Sequence, residues 1–145
     1  MNSCTKSSVV FLGLPPLLAF RLNNFALGIP WYLVFVGSLL NHHRKNYTLG
    51  NTCKQQKQMF ALDHVSLIVG ASTNMYVLHD HSLIPEMVLY AWLLVFALVI
   101  THANRQAYRA YLGWRFEPIA MFVHLLGACS NIYILQRVRD VPDHQ

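Results

Sequence analysis

The chain has 145 residues, the length of one domain, with 54% hydrophobic and only 12% charged residues and a net charge of +5. A soluble domain carries roughly a quarter charged residues, so the composition speaks for a membrane protein and against an ordinary water-soluble one. The basic residues are scattered through polar segments with no aromatic-interleaved patch, which argues against a nucleic-acid surface. Cys4, Cys53 and Cys129 fall in an N-terminal tail, a polar loop and an apolar segment, and offer neither a CxxC metal pair nor a disulfide framework.

Five apolar segments follow in chain order, and they predict an all-α integral membrane bundle of about five transmembrane helices. The first, about 8–22, contains Pro15 and Pro16. It reads as a kinked span or as the apolar part of a signal sequence, and a span is preferred because no small-x-small cleavage site follows. The second, about 27–42, opens on Trp31 and Tyr32, amphipathic rings suited to a lipid–water interface. It ends in "SLLNHHRK", where an apolar run turns abruptly basic. The third, about 62–79, is rich in Ser, Thr, Gly and Ala, the residues of helix–helix contacts in membranes, and is expected to face protein more than lipid. The fourth, about 83–102, is the clearest span. The fifth, about 116–135, carries Glu117, His124 and Asn131 seven residues apart, a polar stripe that should avoid lipid. Glu117 precedes Pro118, a pair that suits the opening of a helix. The segments 42–59 and 102–115 read as the main loops, and "HDHSLIPE" (79–86) as a short polar turn.

Basic residues set the orientation. With the N-terminus in the cytosol, Lys6, Arg44, Lys45, Lys54, Lys57, Arg105, Arg109 and Arg115 lie inside and Arg21, Arg137 and Arg139 outside, eight against three. The 42–62 loop is then cytosolic, and His42, Asp63, His102 and His124 converge on the cytosolic half of the bundle. Ser38 and His42, four residues apart, share one helix face. Imidazoles with an acidic and a hydroxyl neighbour suit zinc-assisted hydrolysis, in which the metal acidifies a water, Asp63 acts as base or orients a ligand, and Ser38 steadies an oxyanion. Plainer roles exist for each: Ser38 in helix packing, Asp63 as a helix N-terminal carboxylate favoured by the dipole, and His124 as a helix fastener.

The pattern Ser38-x-x-x-His42 at the end of the second span, Asp63 at the head of the third and His124 in the last resembles the CREST superfamily, which includes alkaline ceramidases, progestin and adipoQ receptors and hemolysin III-like proteins. The resemblance implies a helical membrane protein with a zinc site of three histidines, an aspartate and a serine, and activity as a lipid amide or ester hydrolase. Ser38, His42, Asp63 and His124 are the matching positions. The family has seven spans and two histidines four apart in the last one, whereas here Ala120 and Ala128 flank His124 at that spacing. The missing ligand is assigned first to His102. The alternative is a non-catalytic subunit whose polar residues join helices within the chain, to another copy or to other membrane proteins; proton movement along Glu117, His124 and Asn131 ranks last. Membrane lipids are partners in every case.

Overall fold

The computed structural model describes residues 8–44, 53–110 and 117–141, with the side chains at 42–44, 53–57, 59–60, 105, 107–110, 117–118 and 120 left outside the description. Every element among these residues is helical: a 3-10 turn, Val10–Gly13, then α1 (Leu14–Arg21), α2 (Phe25–Arg44), α3 (Cys53–Asp80), α4 (Ile84–Ala110) and α5 (Glu117–Asp140). The all-α expectation holds.

The prolines of the first segment do not break it. Pro15 and Pro16 occupy the first turn of α1, where an N–H has no intrahelical acceptor to lose, and a 3-10 turn leads into them. This segment is packed into the body of the protein, with Ser8, Val9, Leu12, Pro15, Pro16 and Ala19 all buried.

Two tight turns, at the same end of the molecule, reverse the chain. At the first, Asn23 takes a left-handed backbone (φ 57°), Asn24 N–H donates to Ala19 O and Asn23 N–H to Phe20 O. At the second, Ser82 is left-handed (φ 56°), Leu83 N–H donates to Leu78 O and Ser82 N–H to His79 O. Both are the paired hydrogen bonds that close a helix C-terminus and satisfy its last carbonyls. Asn24 then caps α2, its Oδ1 accepting from Leu27 N–H at 3.1 Å.

The principal core gathers at this turn end. Ala19, Leu27, Trp31, Val77, Leu78, Leu83, Tyr90, Ile134, Leu135 and Val138 draw all five helices together there. The helices also run further than their apolar stretches. α3 begins at Cys53 and α4 continues to Ala110, so parts of both expected loops are helical. Their Lys, Gln, Arg and Ala residues are good helix formers that carry no apolar signal. Asp63 consequently stands ten residues into α3, too deep for a carboxylate held by the helix N-terminus, since that field fades within the first turn.

α4 differs from the rest. Ile84–Asn104, 21 residues, is long and apolar enough to cross a membrane, and only 6% of its most apolar stretch is buried inside the protein. The runs Val10–Arg21 and Phe25–Asn41 are apolar but shorter.

Candidate functional site

The α2–α3 contact is the most extensive between helices among the described residues, and two glycines lie in it. A methyl on Gly37 would stand 2.6 Å from Ser66 Oγ and 3.3 Å from Asp63 Cα, and one on Gly70 would stand 2.7 Å from Val34 Cγ2. Small residues at these points let the two backbones approach, as in other membrane helix pairs.

That approach brings a buried polar cluster together. Ser38 Oγ donates to Asp63 Oδ1 at 2.6 Å, and Asn41 Nδ2 donates to Asp63 Oδ2, also at 2.6 Å. Ser66 Oγ donates to the Asp63 carbonyl at 2.8 Å. Ser38, Asn41, Asp63 and Ser66 are all buried. A carboxylate removed from water needs such donors, and short hydrogen bonds to an ionised acceptor are the stronger kind. Ser38 and Asp63, expected from their motifs to share a site, are in direct contact.

The histidines stand differently. His42 lies one turn beyond Ser38 in α2, and its side chain is outside the described residues, as is that of Glu117. His102 is exposed, with its Nε2 3.2 Å from Gln106 Nε2 one turn on. His124 is half-buried, and its Nδ1 lies 2.8 Å from the Oγ of fully buried Ser8, tying α5 to the start of the chain. Among the described residues no three His, Cys, Asp or Glu side chains come together to hold a metal ion. The described donors, one carboxylate and one hydroxyl, are not by themselves a zinc site; zinc takes imidazole nitrogen or thiolate readily, and the nearest imidazoles in sequence are His42, four residues from Ser38, and half-buried His64, next to Asp63.

A second polar knot, which sequence reasoning did not single out, lies about 16 Å along α3 from Asp63, eleven residues at 1.5 Å each. Asn74 Oδ1 accepts from Trp31 Nε1 at 2.8 Å, and Asn74 Nδ2 donates to Tyr90 OH at 2.9 Å and to Asn131 Oδ1 at 2.8 Å. One amide thus links α2, α3, α4 and α5. Trp31, expected at a lipid–water interface, is buried at 1% exposure, because its indole N–H finds this acceptor inside the bundle, while neighbouring Tyr32 stays exposed. An indole N–H and an amide in two separate apolar runs were the available signal. The stripe on α5 turns inward at its two described members: His124 meets Ser8 ahead of the 3-10 turn, and Asn131 meets Asn74 of α3.

α3 divides its faces. Asp63, Ser66, Gly70 and Asn74 face the bundle, but Leu62, Val65, Ile68, Val69 and Tyr76 are exposed, so its small residues mark one side only. In the 79–86 turn, His81 Nδ1 lies 2.9 Å from Val77 O, and Glu86 serves as an ion-pair partner: Arg137 Nε and one terminal nitrogen donate to its Oε1 at 2.9 and 2.5 Å. The paired carboxylate holds the Arg137 guanidinium above its ordinary pKa, first through the hydrogen bond and then through the charge.

The described fold and site define an all-helical protein with one helix able to span a membrane and a buried serine–asparagine–aspartate cluster. Comparison with family models, curated proteins and solved structures finds no match for the chain.

Proposed function

We propose that this chain is a multi-pass membrane bundle of about five helices, N-terminus in the cytosol, whose Ser38–Asp63 pair belongs to a CREST-type site for zinc-dependent hydrolysis of a lipid amide or ester. The single observation that carries the hydrolase reading is the 2.6 Å hydrogen bond between Ser38 and Asp63, residues from two motifs 25 positions apart. A membrane setting is supported by α4. Its apolar stretch is about 31 Å long at 1.5 Å per residue, close to the roughly 30 Å of a hydrocarbon core. Trp92, Val95, Leu98 and Val99 all point outward from it. In water this would be an apolar patch far beyond what a soluble monomer carries. Val10, Leu17, Ile29, Ile68, Tyr76 and Phe122 extend the same outward apolar character to the other helices. The buried Asp63, Asn74 and Trp31 engage neighbouring helices, as polar groups at membrane depth must.

Zinc in this reading rests on His42, with His124 and His102 as the further ligands. Bound there, the metal would supply a water acidified to near neutral pH. Of the chain's own groups, Ser38 offers a hydroxyl and Asp63 a carboxylate at the same point.

A second reading is favoured by a different observation: each oxygen of Asp63 already accepts a hydrogen bond from α2, and His102 and His124 each lie against a residue outside that cluster. On that reading the chain is a non-catalytic subunit of a membrane assembly, and its polar residues are fasteners. Metal analysis of the protein purified in mild detergent separates the two. The hydrolase reading expects one zinc per chain, lost in His42→Ala and in His124→Ala, together with cleavage of a ceramide or acyl-ester probe. A folded, metal-free wild type overturns it. The subunit reading expects extraction in a larger assembly that His124→Ala disrupts, and a monomeric, active chain overturns that one.

A further inference from the structure

Asp63 is held more completely than a helix contact requires, and the residue responsible stands at one of the unspecified positions between Ser38 and His42. Ser38 and Asn41 are three apart on α2, which sets their side chains on one face, one turn above the other. They reach different oxygens of the same carboxylate, each at 2.6 Å. The last torsion of an aspartate is soft and roughly two-fold, so one donor leaves the carboxylate free to turn. Two donors on separate oxygens remove that freedom, and burial removes the water that would otherwise substitute for either. The backbone beneath is held as well, by Ser66 Oγ on the Asp63 carbonyl and by the close approach of Gly37 to Asp63 Cα.

We propose that Asn41 is the positioning residue of this cluster: with Ser38 it grips both oxygens of Asp63 and sets the orientation of the carboxylate between α2 and α3. Asparagine suits the task because its amide donates without adding a second charge, where an aspartate would oppose Asp63 and a leucine would leave Oδ2 bare. A carboxylate accepts about four hydrogen bonds, so each gripped oxygen keeps acceptor capacity for a third group in a fixed direction. The importance of that direction for hydrolysis rests on the proposed function; the grip itself does not.

The test is infrared spectroscopy of the whole protein in detergent, with the Asp63 carboxylate bands assigned by difference against Asp63→Asn. Asn41→Leu, close in size and without a donor, should shift and broaden those bands. Ser66→Ala, which removes a hydrogen bond to the Asp63 backbone and none to its carboxylate, should leave them in place. Coincident bands in Asn41→Leu and wild type overturn the proposal. Should Asn41→Leu not fold, Asn41→Ser, too short to bridge the same gap, gives the same readout. Equilibrium dialysis with zinc alone forms the second arm: Asn41→Leu should bind about 10–100-fold more weakly than wild type, the usual cost of losing a group that orients a ligand. A wild type that takes up no zinc overturns the hydrolase reading while the infrared comparison still decides the role of Asn41.

Discussion

Asn74→Leu tests how much of the bundle hangs on one amide. The substitution preserves approximate volume and removes three hydrogen bonds, to Trp31, Tyr90 and Asn131. Inter-helix hydrogen bonds in a membrane protein are worth about 0.6 kcal/mol each on average, so their loss alone costs about 2 kcal/mol. Trp31 and Tyr90 are buried, so the indole N–H, which cannot rotate to a new acceptor, is stranded; an unpaired buried donor adds about 1–3 kcal/mol. The expected total is about 3–5 kcal/mol. The assay is reversible unfolding in detergent, followed through tryptophan fluorescence and through helical circular dichroism. The matched control is Thr73→Ala on the adjacent residue, whose hydroxyl donates to Val69 O in its own helix; it should change stability by less than about 0.5 kcal/mol. An Asn74→Leu protein within about 0.5 kcal/mol of wild type would show that the knot contributes nothing net and would refute the reasoning.

Gly37→Ala should destabilise by about 1–3 kcal/mol, because the new methyl meets Ser66 Oγ and the Asp63 backbone. Adding Ser66→Ala should recover part of the loss, and strict additivity in that double-mutant cycle would argue against the contact. Ser82→Gly should raise stability by about 1 kcal/mol in thermal melts, since a left-handed backbone strains a serine and suits glycine; a lower melting temperature would mean that the Ser82 side chain has a role the turn geometry does not reveal. Glu86→Gln should lower the melting temperature, and high salt should lower that of the wild type while leaving the variant nearly unchanged, as for a half-exposed ion pair. Equal salt sensitivity in both proteins would place the effect elsewhere.

Helical class and the principal apolar helix are legible in the sequence because both are local. An apolar run of about 20 residues needs no partner to announce itself, and Ile84–Asn104 matches the fourth expected segment to within two residues at either end. The meeting of Ser38 with Asp63 was also legible, from one serine at the end of a segment and one aspartate beside the next. What stayed hidden was pairing between distant polar residues. Nothing local to Trp31 distinguishes an interfacial ring from a buried donor; its depth follows from Asn74 standing 43 positions away with an acceptor in reach. Nor does Asn41 differ in sequence from any polar residue at a helix end until Gly37 lets α3 come close enough for Asp63 to take its amide. Periodicity and hydropathy register where a segment prefers to be, a property summed over neighbours along the chain. Which donor meets which carboxylate depends on how closely two helices approach and in what register, and only the tertiary packing of α2 on α3 decided that.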